Sequence, residues 1–402
     1  MLDLDKFIYK YVVKRPESMF LADIRNHKDE LGEKIDGKSL LVIGGAGSIG
    51  SSFIKAVLPF HPGSLIVVDI NENALAELTR DIRSTKGMYV PKEYIPYPMD
   101  YASGVFEKMF RHHGRFDIVA NFSAHKHVRS EKDIYSVEAL LENNVLHAKV
   151  LLDLLSEYSP EEYFCVSTDK AADPVNIMGA SKRIMEDVIF GYSDRFPVKT
   201  ARFANVAFSN GSLPAGFLER IRKRQPISAP YDVKRYFVSP EESGQICMLA
   251  AMLGRNREIF FPQLEEAQMM TFDQIARNLL LEEGFEVLEC ASDEEAIDRV
   301  ENLKQGSHQY PVHFEKSDTS GEKPYEEFYT SDERTDMDRF AALGVITDKK
   351  IPAADRIDVL YERLNSAFSR EDITKDDIVE IMHDYLPNFR HIETGKSLDL
   401  KM

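Results

Sequence analysis

One short stretch limits the folds open to this chain more than any other. Ser39 to Ile43 reads as a buried strand and runs without a break into Gly44-Gly45-Ala46-Gly47-Ser48-Ile49-Gly50, and a helix starts near Ser51. Glycines at 44, 47 and 50 allow a tight strand-to-helix turn, a close backbone approach to a pyrophosphate and close packing of helix on strand. The start of that helix, with Ser48 and Ile49, then turns its backbone N–H groups toward an anion. A second apolar run, Ser64 to Val68, ends in Asp69, 25 residues after Gly44. A carboxylate at that distance accepts the ribose hydroxyls of an adenosine and repels a 2′-phosphate. No Arg follows directly in Asp69-Ile70-Asn71-Glu72, so NAD is expected rather than NADP. The plainer reading of Asp69 is a cap for the helix expected over 72–84.

Strands and helices keep alternating after this. A strand near Glu93 to Pro98 leads to Asp100, then come a helix from Val105 to His112, a strand from Phe116 to Asn121 and a long helix from Ser136 to Tyr158. The strand Tyr163 to Val166, the helix Gly179 to Tyr192 and the strand Val198 to Phe203 complete six strands over residues 39–204. That pattern predicts an α/β fold, a Rossmann-type doubly wound parallel sheet. Asp100 can accept from an adenine amino group or cap the next helix. After the fourth strand, Ser123 and Ala124 are small enough for backbone to pass a nicotinamide ribose, while Lys126 and His127 can face a substrate. His125-Lys126-His127 has no carboxylate or Cys at ligand spacing, so no metal site is expected. Asn144 is expected to tie the strand ends together.

Ligands of open α/β sheets bind beyond the carboxyl ends of the strands. Just past the fifth strand stand Thr168, Asp169 and Lys170, a hydroxyl, a carboxylate and an amine side by side. An adjacent acid and amine can divide acid and base work when their surroundings separate them. On an open surface the same dipeptide is a weak solvated ion pair, and only its place in the fold argues otherwise. Met178 and Lys182, four residues apart, share one helix face. Beyond the sixth strand, Asn205 and the stretch Phe208-Ser209-Asn210-Gly211-Ser212 precede a helix from Pro214 to Arg224, so Ser212 belongs to an expected anion seat. Arg235 can hold a phosphate with both arms of its guanidinium. Ser239 and Glu242 form a capping pattern for the helix Glu241 to Leu253.

The length of 402 residues allows two domains or one enlarged one. The expected division is a helical extension over 1–37, a nucleotide-binding domain over 38–204, a smaller substrate-binding region over 205–345 and a helical tail over 346–402. Within the third part, 285–320 reads as a polar, irregular insertion. Leu360, Leu364 and Phe368 recur at helical spacing in the tail, which suits packing or assembly. Fifty basic against 67 acidic residues, a formal charge of −17, argue against nucleic acid or an anionic membrane surface as a partner. Cys165, Cys247 and Cys290 are far apart and point to a reducing compartment. With no leader pattern and no apolar run of about 18 residues, the expectation is a cytoplasmic protein without membrane insertion.

Taken together, these segments resemble the extended short-chain dehydrogenase/reductase family, in particular its branch of nucleotide-sugar 4,6-dehydratases acting on UDP-N-acetylglucosamine in polysaccharide biosynthesis. The glycine turn, Ala124 to Val128, Ser167 to Ala171, Met178 to Arg183, Arg202 to Val206, Arg235 to Phe237 and Gly321 to Lys323 follow one another in family order. The wider family carries Tyr-x-x-x-Lys where this chain has Met178-x-x-x-Lys182, and members of the branch are similar in carrying Met there. Met has no proton to exchange, so the base for the first step stays open between Asp169 and a bound water. The resemblance implies a redox-neutral elimination with NAD, in which Lys170 removes the carbon 5 proton and Asp169 protonates the departing hydroxyl. It further implies that Thr168 binds the carbon 4 oxygen, Lys182 holds the nicotinamide ribose, Asn205 and Arg235 hold the diphosphate, and the chain forms a homo-oligomer. A 4-epimerase, a GDP-linked substrate and a silent NAD-binding regulator are the alternatives.

Overall fold

The apolar runs of the first two hundred residues do assemble side by side. In the computed structural model, which describes residues 2–303, 307–318, 323 and 325–393, six strands come first: β1 (Ser39–Ile43), β2 (Ser64–Asp69), β3 (Glu93–Pro98), β4 (Ile118–Asn121), β5 (Glu162–Thr168) and β6 (Val198–Phe203). They pair in parallel in the order β3-β2-β1-β4-β5-β6. Parallel strands covered by helices on both faces read as continuous apolar runs, and every residue of β4 and β6 is buried. The order reverses between β1 and β4, which opens a crevice beyond the carboxyl ends of those two strands.

Later chain extends the sheet. β7 (Glu258–Pro262) adds in parallel to β6, while β8 (Arg334–Asp336) and β9 (Leu343–Thr347) close that edge in antiparallel pairing, β9 on β7 and β8 on β9. The covering helices are α1 (Ser48–Val57), α2 (Glu72–Ser84), α3 (Gly104–His113), α4 (His147–Glu157), α5 (Ile177–Gly191) and α6 (Pro240–Leu253). The long helix expected over 136–158 is interrupted: Ile134–Leu141 passes through a π turn, Glu142–Leu146, before α4 begins. Ser239 and Glu242 form the expected capping box at the start of α6.

A second apolar cluster lies outside the main one. Phe217, Ile227, Leu279, Tyr310 and Val312 pack there, joined by Phe7, Ile8, Val12 and Val13 from the start of the chain. Phe20, Leu31 and Ile35 of the same extension enter the main core instead, so residues before 37 pin both clusters together. Burying a side chain such as Phe7 or Ile8 contributes about 1.5–3 kcal/mol.

The expectation of an irregular insertion over 285–320 needs correction. Strand Glu286–Glu289, helix Asp293–Glu301 and strand Gln309–Glu315 form a parallel unit, which pairs with Ile227–Pro230 to make a three-stranded sheet. Tyr310 and Val312 are buried while Glu286 and Glu289 are exposed, and this one-sided burial in short, charge-rich strands hides the strand period. Residues 304–306, 319 and 320 of that stretch lie outside the described residues. The tail is helical as expected, over Ala354–Phe368 and Lys375–Tyr385, with Leu360 and Leu364 buried. Ile392 then donates its N–H to the Val175 carbonyl at 2.9 Å, bringing the tail against the loop between β5 and α5. Among the described residues no helix is long and apolar enough to cross a membrane.

Candidate active site

The glycine turn is built without room for side chains. Gly44 has φ +68°, and a Cβ there would sit 2.6 Å from the Ser123 N atom. A Cβ on Gly50 would sit 2.4 Å from the Gly44 carbonyl oxygen. The turns after β1 and β4 therefore lie back to back, and α1 rests directly on the first of them, with Gly47 at its N-cap and Ser48 and Ile49 in its first turn. The Asp69 carboxylate accepts from Ala46 N at 3.1 Å and Asn71 N at 2.9 Å. It thus faces the glycine turn, and α2 is capped by Asn71, which accepts from Ala74 N at 3.0 Å. Asp100 accepts from Ala102 N at 2.9 Å and stays exposed, while Ser103 caps α3. A cradle that excludes Cβ atoms, beside a helix N-terminus and a carboxylate at the next strand end, fits a dinucleotide.

The π turn clasps the neighbouring loop. Asn144 accepts from His125 N and donates to the His125 carbonyl, both at 2.9 Å, and donates to Ser181 Oγ at 3.1 Å. Ser123 Oγ donates to Asn143 Oδ1 at 3.2 Å. Ser123 and Ala124 are thereby fixed at the crevice, and Asn144 joins the β4 loop to the helix α5 rather than one strand end to another.

Beyond β5, Asp169 is nearly fully buried at 4% exposure. Its Oδ1 accepts from Thr168 Oγ1 at 2.9 Å, Lys170 N at 2.9 Å and Lys170 Nζ at 3.0 Å. Lys170 Nζ also faces Glu326 Oε1 at 3.9 Å. Glu326 is itself 4% exposed, and its Oε1 has no hydrogen-bond partner among the described residues. Burial pushes the Glu326 carboxyl upward, against the opposing pull of Lys170, with Asp169 adding to the rise and Arg235 and Lys323 to the pull. Sequence reasoning passed over Glu326, which no local pattern separates from its acidic neighbours.

Met178 is buried in the first turn of α5, and its N–H donates to Glu131 Oε1 at 3.0 Å. Lys182 points inward, donating to the Val166 carbonyl at 3.2 Å and lying 3.5 Å from Met185 Sδ. Burial lowers its pKa, only partly opposed by Cys165 and Glu186. Beneath the turn, Arg202 is fully buried. It holds Glu186 with Nε at 2.9 Å and Nη2 at 2.8 Å, Glu333 with Nη1 at 2.7 Å and Nη2 at 2.9 Å, and the Phe328 carbonyl at 2.9 Å. Ser167 Oγ donates to Glu186 at 2.7 Å. Arg202 therefore locks the end of β5 to the segment that carries Glu326.

Lys126, His127, Asn205 and Ser212 come together on one cavity of about 630 Å³, closed by Phe217, Phe237 and Phe272 and bearing Arg129 and Arg220. Lys126 Nζ donates to the Asn210 carbonyl at 2.9 Å, and Asn210 N donates to Ser48 Oγ at 2.9 Å, which links this loop to α1. Ser212 caps the helix Leu213–Lys223. Arg235 does not join Asn205 on that wall. It is buried, bonded to the carbonyls of Lys234 and Lys323 at 2.9 Å each, on the Glu326 side. Gly321 and Glu322, part of the motif noted in the sequence, lie outside the described residues.

The sequence profile of the family described as polysaccharide biosynthesis protein matches residues 40–347. The chain is 25% identical over 342 residues to the probable polysaccharide biosynthesis protein EpsC of Bacillus subtilis (strain 168), covering 84% of this chain and 55% of that protein. It is 25% identical over 349 residues to the capsular polysaccharide biosynthesis protein CapD of Staphylococcus aureus, covering 86% of this chain and 54% of that one. The chain thus spans about half the length of these curated relatives. It is also 29% identical over 255 residues to the UDP-glucose 4-epimerase of Rickettsia typhi, covering 60% and 70% respectively. Among solved structures, dTDP-glucose 4,6-dehydratase DesIV from Streptomyces venezuelae, with NAD and TYD bound, aligns at a TM-score of 0.53 and 20% identity, over 72% of this chain and 87% of that one. Pen from Bacillus thuringiensis aligns at a TM-score of 0.60 and 20% identity, over 79% and 91%. These likenesses establish the doubly wound fold.

Proposed function

The chain belongs to the polysaccharide biosynthesis protein family, and from that premise we propose that it is an NAD-dependent nucleotide-sugar 4,6-dehydratase acting on a UDP-N-acetylhexosamine. The observation that carries the proposal is the Thr168-Asp169-Lys170 turn, with Asp169 buried, in which hydroxyl and ammonium both donate to one carboxylate oxygen.

NAD, held by the glycine turn and Asp69, would supply the reversible oxidation at carbon 4 that makes the carbon 5 hydrogen acidic. The chain's own groups do the rest. Thr168 Oγ1 binds the carbon 4 oxygen and stabilises charge as it develops there. Lys170, as the free amine, takes the carbon 5 proton, and Asp169, as the acid, delivers one to the carbon 6 oxygen as water leaves. The cavity of about 630 Å³ suits the nucleotide end of the substrate, with Lys126, Arg129 and Arg220 for the diphosphate charge and the phenylalanines for the base. A nucleotide sugar is the proposed partner, in the cytoplasm, with the chain in a homo-oligomer.

An epimerase is the second reading, favoured by the 29% identity to the Rickettsia typhi UDP-glucose 4-epimerase. It needs the oxidation but neither Asp169 nor Lys170. Incubation with UDP-N-acetylglucosamine in D₂O, followed by mass spectrometry, separates the two. A dehydratase releases one water and takes up one deuterium at carbon 5. An unchanged mass with an altered sugar configuration would replace the dehydratase by the epimerase, and the GDP analogue run in parallel tests the nucleotide.

A further inference from the structure

The site as described has its protons in the wrong places for an elimination. Three hydrogen bonds donated to Asp169 Oδ1 favour its carboxylate form, and the two acidic side chains beside Lys170 favour its ammonium form. Elimination needs the opposite forms, an acid and an amine. A proton arriving from the carbon 4 hydroxyl can convert Asp169 alone, and Lys170 would remain charged and unable to act as a base. A second acceptor is required, and it must touch Lys170.

We propose that Glu326 is that acceptor, acting through Lys170 rather than on the substrate: it receives an ammonium proton from Lys170 Nζ as Asp169 receives the proton released at carbon 4. The inference rests on the dehydratase reading and extends it. Protons balance. The carbon 4 O–H bond breaks and its proton reaches Asp169 by way of the Thr168 hydroxyl; one Nζ–H bond of Lys170 breaks and its proton goes to Glu326 Oε1. Two protons, one from the sugar and one from Lys170, end on two carboxylates, leaving Lys170 as a neutral amine.

Three observations support this. Glu326 Oε1 lies 3.9 Å from Lys170 Nζ and has no hydrogen-bond partner among the described residues, so a small closure makes the transfer contact. Its burial disfavours the anion, as a resting place for a proton demands. The groups facing it are Lys170 and Asp169 from the β5 turn, Arg235 from the short strand Lys234–Arg235, and Lys323 from its own segment. Arg235 and Lys323 keep the carboxyl from becoming too basic to give the proton back. The Arg202 grip on Glu333 and the Phe328 carbonyl holds the segment in place.

The test is Glu326→Gln, an isosteric change, with Glu326→Asp as the conservative rescue. With UDP-N-acetylglucosamine, E326Q should still oxidise carbon 4, so absorbance of reduced cofactor accumulates in a single turnover, while deuterium uptake at carbon 5 falls at least a hundredfold with KM little changed. Its kcat should rise tenfold per pH unit as Lys170 loses its proton to solvent, whereas the wild type and E326D lack that slope. A uniform loss at every pH, or a flat profile in E326Q, would overturn the proposal. A second readout needs no substrate. Acetylation of Lys170 by acetic anhydride, followed by peptide mass spectrometry, should be at least tenfold faster in E326Q than in the wild type at neutral pH, because the anion that retains the ammonium proton is gone. Equal rates overturn the coupling even if the sugar proves to be a different one. Faster labelling without turnover of any sugar nucleotide upholds the coupling and refutes the dehydratase reading alone.

Discussion

Replacing Glu333 by Gln should destabilise the fold by about 3 kcal/mol at neutral pH, and acid should erase the difference. Glu333 accepts from Arg202 at 2.7 and 2.9 Å and from Lys349 Nζ at 2.6 Å, with its side chain 10% exposed. Burial alone would raise its pKa, but the hydrogen bonds and charges of Arg202 and Lys349 prevail and hold it at about 2, against an ordinary 4.5. A gap of about 2.5 at about 1.4 kcal/mol each gives about 3 kcal/mol. That matches the lower end of the 3–5 kcal/mol typical when one partner of a buried pair is removed, as expected where Arg202 keeps Glu186. Because the folded pKa is depressed, this stability is complete above about 4.5 and is lost as the pH falls through about 2. Denaturant unfolding of the wild type and E333Q at pH 7, 4.5 and 3 measures it. A gap below about 1 kcal/mol at pH 7, or one unchanged at pH 3, would refute the assignment of Glu333 as a buried ionised partner.

Three other outcomes are expected. Gly44→Ala places a methyl group 2.6 Å from Ser123 N at a backbone angle that costs about 1–2 kcal/mol for other residues, so NAD affinity measured by calorimetry should fall at least tenfold; unchanged affinity would remove the glycine turn from the cofactor site. Asp69→Asn should narrow the preference for NAD over NADP by about tenfold, near 1.4 kcal/mol, read as a ratio of dissociation constants, and an unaltered ratio would mean that Asp69 serves only the Ala46 and Asn71 N–H groups. Asp169→Asn and Lys170→Met should each lower water loss from the sugar by about 10²–10⁴ while leaving NAD binding intact, and retention of full dehydration by either would remove that residue from the chemistry.

The parts of the site that could be read in the sequence are those written in consecutive residues. The glycine turn, Asp69 and the Thr168-Asp169-Lys170 turn each follow an apolar strand, so position alone implies their neighbourhood. Asn144 was legible as a tie, though not the π turn that aims it. Glu326 was not legible, because it reaches Lys170 from another part of the chain and stands beside Glu327 and Tyr325 with nothing local to say which side chain turns inward. Arg235 could be recognised as a functional type but not assigned to a wall of the site, since that depends on where Lys323 returns. The unit over 286–315 escaped notice because a sheet covered on one side tolerates charge on the other.

The π turn at Glu142–Leu146 has a consequence for chain length. A turn closed by i→i+5 bonds holds one residue more than an α turn, and Tyr101 Oη donates to the Asn143 carbonyl at 3.0 Å. Deleting a single residue there would restore ordinary helical bonding and leave the two halves of the helix in phase, because the π turn absorbs its extra residue within one turn. The leucines on the two halves would keep facing the core, but the residues of the turn itself would be re-aimed, taking Asn144 off the His125 backbone. The number of residues in that turn is therefore as closely specified as the asparagine it carries, and a shortened homologue should need a different way of holding the loop after β4.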